Sequence, residues 1–542
     1  MKRRKFLGAV AGMAAAVTTK TAIAQPPIGQ PAIGQPAIGQ STRASTLRLV
    51  PVTALTVLDT VFSTSQVTTN HGWAVYDTLF GIDSRGEIKP QMAEGYTVSD
   101  DDLTYTIRLR EGLKFHNGEP VRAQDCIQSL LRWSSRESVG QTAASFVDSW
   151  GVADDRTLKI TLKRKAPIFL QAIARGSASI PFIMPEHVAK TDAYKQITET
   201  IGSGPYKFIG KDYVPGILAV YARNADYVPR QEKADRTAGG KVAHFERVEW
   251  HSIPDSATAA AALQSGEVDW YEQVQPDLVP LLRRNANLRI GSANPSRFNG
   301  IMRFNSLQAP FNNPAVRRAV LLGLRQHDYM MAVTGNDPTA YRDCRAAFPC
   351  GTPYGKDLGA ELMPGDLGQA RAALKAAGYA GEKVVIISPA DVPTIGPFGE
   401  ITHDLLLKMG MNSELVSIDW ATLVARRTNR EPVEKGGWSI FHTWAASSII
   451  GTPVESFPLR GLGAAGWAGW YGDPKMEELV HAWAIAATPQ ERDIAAHAVQ
   501  MRAFEMVPFI NLGQFEIRSA YRKDLTGIIE GTGAFMWNVR RV

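Results

Sequence analysis

The segment from Gln91 to Trp133 constrains the fold more than any other part of the chain. Apolar and polar side chains alternate between Thr104 and Arg110, which predicts a strand with one buried face. From Ala123 onward the apolar residues recur every three or four positions, which predicts an amphipathic helix. Acidic residues and an Asn-Gly pair provide turns between these elements. The segment therefore predicts a mixed unit of strand and helix, and it contains no catalytic motif.

The segment also resembles the family 5 extracellular solute-binding proteins of ABC importers, the peptide, dipeptide and nickel group. The matching residues are 90–94 (PQMAE), 100–105 (DDDLTY), 109–118 (LREGLKFHNG) and 123–125 (AQD), with later matches at 202–208 (GSGPYKF), 223–227 (RNADY) and 267–270 (EVDW). The resemblance covers residues 46–542 and implies an α/β fold, the two-lobe periplasmic binding protein fold of type II. It implies the large form of that fold, with an extra scaffold subdomain and mixed sheets flanked by helices.

The resemblance also implies how the chain is divided. It places residues 46–298 in a first lobe, which includes the scaffold subdomain at about 80–190. Residues 299–510 form the second lobe, and residues 511–542 return to the first. Within the second lobe, short helices alternate with β-branched runs from residue 367 to 418, which predicts parallel βαβ units.

Capping residues mark several helix ends. Asp255 and Gly266 enclose an Ala-rich helix as N-cap and stop, and Asn313 caps a helix that has Pro at its first position. Thr488 and Glu491 have the spacing of a capping box. These residues predict three helices with defined starts.

Other local expectations are less regular. The Ser/Thr-rich residues 60–70 predict a polar turn, and the resemblance implies a helix at residues 73–80. The helix after Asn313 has an apolar face that includes Val316, so we expect Arg317 and Arg318 to face solvent.

The first 24 residues have the features of a secretory signal peptide. Arg3 and Arg4 precede an apolar run at residues 6–17, and small residues at 22 and 24 mark a cleavage site. The Arg pair predicts the twin-arginine type, although an ordinary secretory signal with two arginines stays open. The apolar run is shorter than the roughly 20 residues that span a bilayer. We therefore expect a periplasmic protein, with the low-complexity residues 25–45 as a tether.

The net charge gives no indication of a polyanionic partner. The formal charge of +6 falls to +1 without the five basic residues that precede residue 25. A nearly neutral chain has no strong field to attract nucleic acid or a membrane surface. We therefore predict that neither is a partner.

The three cysteines agree with export from the cytoplasm. Cys344 and Cys350 enclose a short loop and predict a local disulfide; the alternative, a metal pair, lacks a neighbouring His or third Cys. Cys126 lies on the apolar face of the predicted helix, so we expect a buried thiol.

Catalytic and metal-binding signatures are missing from the sequence. It contains no HExxH, Walker A, CxxC or G-x-S-x-G motif, and its ten His residues show no ligand spacing. Residues 461–466 match G-x-G-x-x-G, but they do not follow a strand, so we interpret them as a loop. We therefore predict no enzyme, no cofactor and no metal site.

The resemblance implies where the ligand binds. In the family, a second-lobe loop that reads W-x-x-D supplies central contacts, and its Asp pairs with the α-ammonium group of bound peptides. Residues 437–448 align with this loop and place Trp444 at the aromatic position and Ser447 where the Asp stands. A buried ammonium group without its partner loses about 3–5 kcal/mol. We therefore expect a ligand other than a simple free-amino peptide, or a peptide held differently, with Asp419 or Glu455 as possible substitutes.

Further candidates come from position and residue type. Tryptophans near the loop suit a stacking surface for a polar solute, and two other residues are predicted to lie near the hinge. The complete set of predicted ligand-binding residues is Trp444, Ser447, Ala446, Asn305, Ser65, Trp438 and Trp467, with Trp470 and the rest of residues 63–66 as neighbours.

The resemblance thus predicts a monomeric periplasmic binding protein that closes around a peptide-like or other medium-sized polar solute. Its partners would be that small-molecule or peptide ligand and an inner-membrane ABC permease. Nickel or metal-chelate binding and oligosaccharide binding on the same fold stay open, as does a secreted hydrolase.

Overall fold

The computed structural model describes residues 43–176, 180–292, 296–335, 337–531 and 533–542. The predicted signal peptide lies outside these residues, and so does most of the predicted tether. None of the helices in the described ranges is long and apolar enough to cross a membrane.

The strands are β1 (Thr46–Val50), β2 (Phe80–Ile82), β3 (Ile88–Pro90), β4 (Ala93–Val98), β5 (Thr104–Leu109), β6 (Val147–Asp154), β7 (Thr157–Leu162), β8 (Tyr206–Phe208), β9 (Leu218–Arg223), β10 (Arg247–His251) and β11 (Trp270–Val274). They continue with β12 (Leu288–Ser292), β13 (Phe298–Phe304), β14 (Tyr341–Arg342), β15 (Lys383–Pro389), β16 (Asn412–Ile418), β17 (Ile440–Ala446), β18 (Phe509–Phe515), β19 (Arg518–Arg522), β20 (Leu525–Thr526) and β21 (Arg540–Arg541).

The α-helices are α1 (Gln66–Val75), α2 (Ala123–Arg136), α3 (Ser138–Ser145), α4 (Ile168–Ile173), α5 (Glu186–Ala189), α6 (Ser256–Ser265) and α7 (Val279–Arg283). The second half contributes α8 (Pro314–Gly323), α9 (Gln326–Thr334), α10 (Leu367–Ala376), α11 (Gly396–Met409), α12 (Trp420–Arg426), α13 (Pro474–Ile485) and α14 (Pro489–Met506).

Two large mixed sheets organise the molecule. One has seven strands in the order β12-β19-β11-β1-β10-β9-β8, and the other has six in the order β14-β18-β13-β17-β15-β16. The chain passes from the first sheet to the second between β12 and β13 and returns between β18 and β19. We call residues from β13 to β18 the second lobe and the remaining described residues the first lobe. The return follows Phe515, later than the predicted position at residue 511, and the other lobe limits stay a prediction.

The parallel units expected in the second lobe are confirmed. β15 pairs in parallel with β16 over seven residues and with β17 on its other side. α11 connects β15 to β16 and ends at Gly410, which has a φ of 91° that glycine adopts without a Cβ clash. The carboxyl ends of these strands therefore meet at one edge of the sheet, where clefts form in α/β folds.

The strand and helix predicted within Gln91–Trp133 are also confirmed. β5 buries Tyr105, Ile107 and Leu109, and it belongs to a four-stranded antiparallel sheet. α2 begins at Ala123 and buries Cys126 on its apolar face. The predicted caps of α6, α8 and α14 are present as well.

Two expectations about residues 60–80 are wrong. Gln66 opens α1, so the last part of the expected polar turn is helical, and α1 ends at Val75 rather than near Phe80, which starts β2. The side chains of α1 from Val67 to Val75 are all buried, so tertiary packing overrides the weak helix preference of its Thr and Asn residues.

Arg317 is buried, contrary to the expectation that it faces solvent. Its exposed fraction is 2%, because the end of α14 lies against α8. The guanidinium donates to the carbonyl oxygens of Met506 at 2.6 Å and Val507 at 2.9 Å, and also to that of Phe311. Burial lowers its pKa to about 10. Arg317 thus satisfies carbonyl groups that the end of α14 leaves without helical partners.

Cys344 and Cys350 are joined by a disulfide that closes the loop between them. Cys126 is a free and buried thiol, and burial raises its pKa.

We expect Arg317→Ala to lower the free energy of unfolding by about 3 kcal/mol, because several buried carbonyls lose a charged donor. Arg318→Ala is the matched control, since Arg318 is exposed and should change stability by less than about 0.5 kcal/mol. Urea unfolding followed by tryptophan fluorescence measures both variants. Equal losses in the two variants would contradict the structural role of Arg317.

Candidate functional site

A cavity of about 480 Å³ lies between the two lobes. The first lobe contributes most of the residues between 54 and 68 and the end of α2 at Arg136. The second lobe contributes α12, the residues up to Arg430 and the segment 457–470. A smaller cavity of about 60 Å³ shares part of this wall and reaches β17. The combined space is therefore enclosed by residues far apart in the sequence.

The first-lobe wall is held by a buried ion pair between Asp59 and Arg132 of α2. The guanidinium donates to both carboxylate oxygens, at 3.0 and 2.7 Å, and both side chains are almost fully buried. Asp59 also accepts from the backbone N–H groups of Val61, Phe62 and Ile197. Such a satisfied network fixes the course of the chain just before it reaches the cavity.

Serine and threonine side chains form the polar part of this wall. Ser63, Thr64 and Ser65 precede α1 and line the larger cavity. The indole N–H of Trp420 approaches Ser65 Oγ at 3.4 Å, and Arg427 Nη2 donates to Thr64 Oγ1 at 3.3 Å. These contacts connect the two lobes directly across the cavity.

Aromatic rings form the apolar part of the wall. Trp420, Phe457 and Trp467 line both cavities, and the last two rings meet edge to face at 4.7 Å. Trp444 lines the smaller cavity, with its indole N–H bonded to Thr394 Oγ1 at 3.1 Å and its ring against Phe298 at 4.6 Å. The rings are therefore held in fixed orientations that suit stacking against a solute.

Four arginines line the larger cavity: Arg136, Arg427, Arg430 and Arg460. Arg460 forms an ion pair with Glu477 at 2.6 Å. Burial, and to a smaller extent the nearby charge of Arg136, lower the pKa of Arg427 to about 10. Glu137 is the acidic residue among the described residues of this wall. The wall is consequently richer in positive than in negative groups.

The predicted site residues divide into two groups. Ser65, Trp467, Trp444 and Ala446 line one or both cavities, and Trp470 lines the larger one. Ser447, Asn305 and Trp438 are absent from the described residues of both walls. The first group thus lies together, while the second lies in the interior.

Each of these three interior residues forms hydrogen bonds within the protein. Ser447 donates to Asn299 Oδ1 at 2.7 Å and accepts from Gln514 Nε2 at 2.9 Å, so its hydroxyl links the ends of three strands. Asn305 donates to the carbonyl of Trp438 at 2.9 Å. Trp438 in turn donates its indole N–H to the carbonyl of Arg427 at 3.1 Å, so it supports a wall residue from behind.

Neither proposed substitute carboxylate lines a cavity. Asp419 accepts from Thr422 N as the N-cap of α12, and Glu455 accepts from Thr452 Oγ1. The G-x-G-x-x-G segment forms a short 3₁₀ turn at Gly463–Ala465 within the cavity wall. Within the described ranges, no group of three His, Cys, Asp or Glu side chains is placed to hold a metal ion.

Sequence reasoning did not identify Trp420, Arg427 and Arg136. A signal for the first two was present, because Trp420 begins and Arg427 caps the end of the helix that follows a predicted strand, and the carboxyl end of that strand lies at the cleft edge of a parallel sheet. Arg136 had no comparable signal, since it ends a helix of the scaffold and reaches the cavity only through tertiary packing.

Comparison with known proteins agrees with this architecture. Residues 87–460 match the family model described as bacterial extracellular solute-binding proteins, family 5 Middle. A probable peptide ABC transporter periplasmic-binding protein of Sinorhizobium fredii is 37% identical over 491 residues, which cover 90% of this chain and 92% of that protein. A glutathione-binding protein of Salmonella typhi is 28% identical, with 84% of this chain and 87% of that protein covered.

Solved structures share the fold at lower identity. The binding protein AgaA of A. tumefaciens R10, in complex with agropinic acid, has a TM-score of 0.78 at 22% identity and covers 92% of this chain and 99% of that one. The periplasmic binding protein DppA of Helicobacter pylori, in complex with the peptide STSA, has a TM-score of 0.74 at 19% identity, covering 92% and 98%. The family match, the coverage and the two-lobe fold together show that the chain belongs to the family 5 bacterial extracellular solute-binding proteins and is a solute-binding component of an ABC importer.

Proposed function

We propose that this protein captures a peptide-like or other medium-sized polar solute in the cavity between its lobes and delivers it to an inner-membrane ABC permease. The observation that carries the proposal is the cavity of about 480 Å³, walled by both lobes. This volume lies within the range of about 300–1,000 Å³ that is common for small-molecule sites. Relatives named for peptide and glutathione binding support a solute of this size.

The wall chemistry supports an organic solute. Fixed tryptophans provide stacking surfaces, and Ser63, Thr64 and Ser65 provide hydroxyl groups. His and Cys are absent from the described residues of both cavity walls, so imidazole or thiolate capture of a metal has no support there.

Closure of the lobes is the proposed means of capture. The chain crosses between the sheets at two places, before β13 and after β18, and two short crossings allow rotation of one lobe against the other. In this proposal, the contacts of Trp420 with Ser65 and of Arg427 with Thr64 form when the lobes close. We propose that binding is the whole reaction, with no covalent change in the solute, and that the protein acts as a monomer in the periplasm.

Native mass spectrometry of the protein purified from the periplasm tests capture. We expect a monomer carrying a co-purified mass of a few hundred daltons, which is released when the protein is unfolded. A spectrum that contains only the ligand-free chain, together with a lack of binding to a broad solute panel, would contradict the proposed function.

Isothermal titration with free-amino and N-acetylated tripeptides tests how a peptide is held. We expect their affinities to differ by less than about tenfold, because no carboxylate lies at residue 447 to pair with an ammonium group. Micromolar binding that disappears on N-acetylation would show that another carboxylate captures the amino end.

Ser447→Asp should destabilise the protein without creating an ammonium site. The new carboxylate would be buried against Asn299 Oδ1, which already accepts the hydroxyl proton of Ser447, at a cost of about 2 kcal/mol. Urea unfolding measures the loss, and Ser447→Ala, which introduces no charge, is the control. A gain in affinity for free-amino tripeptides would show instead that this position reaches the solute.

We also propose export by the twin-arginine route, based on Arg3 and Arg4. Replacing both by Lys should retain the precursor in the cytoplasm, as judged by cell fractionation and immunoblotting. Lys2→Gln with Lys5→Gln, which removes two charges and leaves the Arg pair, should still allow export. Unchanged export of the Arg3→Lys, Arg4→Lys variant would indicate the ordinary secretory route.

A further inference from the structure

The wall of the larger cavity carries more positively than negatively charged side chains. Arg136, Arg427 and Arg430 form no ion pair with a carboxylate in the part of the chain that the structure describes. Glu137 brings one negative charge to the same wall. Three guanidinium groups against one carboxylate leave a positive space enclosed by aromatic rings and hydroxyl groups.

Arg427 is the most constrained of these cations. It follows α12, lines both cavities and is 7% exposed. Its charged group has a single side-chain hydrogen bond among the described residues, to Thr64 Oγ1 at 3.3 Å, and it faces the rings of Phe441 at 5.7 Å and Trp420 at 6.0 Å. A guanidinium carries five N–H donors, so most of the donors of Arg427 remain available to a solute in the cavity that it lines.

Arg136 supplies a second cation from the opposite lobe. Its guanidinium donates to the carbonyls of Ala193 and Phe62, at 2.8 and 3.0 Å, and lies 4.6 Å from the ring of Phe62. Arg136 and Arg427 line the same cavity from opposite lobes, and repulsion between their charges contributes to the lowered pKa of Arg427. An anion between them would relieve this repulsion and hold the lobes together.

We propose that the solute of this cavity carries a carboxylate group, which Arg427 and Arg136 bind from opposite lobes. The inference rests on the proposed function, since it names the chemical class of the solute in the same cavity. Guanidinium and carboxylate groups form short, charge-assisted hydrogen bonds, frequently in pairs. The hydroxyl groups of Thr64 and Ser65 lie within the same wall and can complete the coordination of the oxygens.

The arrangement of arginines also explains why the site needs no carboxylate at position 447. A site that recognises an amino end needs a carboxylate on its wall, whereas a site that recognises an acid needs cations. The only acidic side chain among the described wall residues of the larger cavity is Glu137, and Ser447 is buried just after β17 without lining either cavity. Recognition through the acidic end of the solute makes an ammonium partner at residue 447 unnecessary.

Calorimetry with three tripeptides that differ only in their carboxylates tests the inference. The probes are Ala-Gln-Ala amide without a carboxylate, Ala-Glu-Ala amide with a side-chain carboxylate, and Ala-Gln-Ala with a free terminal carboxylate. We expect at least one acid to bind about tenfold more tightly than the neutral amide, since a hydrogen-bonded charge contributes at least this factor. The acidic peptide that binds more tightly than the neutral amide shows whether the protein recognises a side-chain or a terminal carboxylate.

Variants of two neighbouring arginines test whether Arg427 is the residue that causes the preference for the acidic peptide. Arg427→Gln should abolish the preference for the acid, and Arg427→Lys should keep part of it. The matched control is Arg426→Gln, which removes the same charge one residue earlier, where the guanidinium donates to the carbonyls of Gly436 and Gly437 and does not line either cavity. Unfolding midpoints verify that each variant is folded. Equal affinity for the neutral and acidic probes, or an acid preference that survives in Arg427→Gln, would overturn the inference while leaving the proposed function intact.

A second measurement does not depend on peptide binding. Citrate, compared with sodium chloride at equal ionic strength, should raise the thermal unfolding midpoint of the wild type and of Arg426→Gln but not of Arg427→Gln. If no tripeptide binds but the citrate effect follows this pattern, the proposal of a peptide-like solute is wrong, and the inference that the solute carries a carboxylate is supported. If citrate has no effect and no tripeptide binds, both proposals fail.

Discussion

The buried ion pair between Asp59 and Arg132 sets the position of the cavity wall on which the other features depend. Asp59 lies in a stretch without regular structure, and its carboxylate accepts hydrogen bonds from the guanidinium of Arg132 and from three backbone N–H groups. Removing one partner of such a pair costs about 3–5 kcal/mol, because the remaining charge stays buried. The chain leaves this anchor only four residues before Ser63, so a loop that could be mobile becomes a defined surface.

The second lobe supplies the complementary surface by a different physical route. Parallel strands β15 and β16 end at the same edge of the six-stranded sheet, and the chain turns from there into α12. Trp438 supports the end of α12 from within the core by its bond to the carbonyl of Arg427. One wall is thus held by electrostatics and the other by sheet topology, and they meet through the contacts of Trp420 and Arg427 with Ser65 and Thr64.

The elements that local patterns determine were predicted well from the sequence. The alternation in β5, the periodicity of α2, the Gly stop of α6 and the capping box of α14 all depend on residues within one or two turns of each other. The burial of Arg317 depended on α14, which lies about 170 residues further along the chain and offers its terminal carbonyls. No periodicity within α8 contains that information.

The cavity was only partly predictable for the same reason. Resemblance to the family located Trp444 and Ala446 near it, and position near the hinge located Ser65. The same alignment could not reveal that the hydroxyl of Ser447 would be occupied by Asn299 and Gln514, which come from two other strands. Arg427 and Arg136 face one cavity although they are 291 positions apart, so their shared role follows only from the folded chain.

The state of the cysteines has a practical consequence. All three are accounted for, two in a disulfide and Cys126 buried with a raised pKa, so the surface offers no reactive sulfhydryl. A single cysteine introduced on each lobe would accept a fluorophore or spin label without background modification. The opening and closing of the molecule can therefore be followed as an interprobe distance in the otherwise native chain.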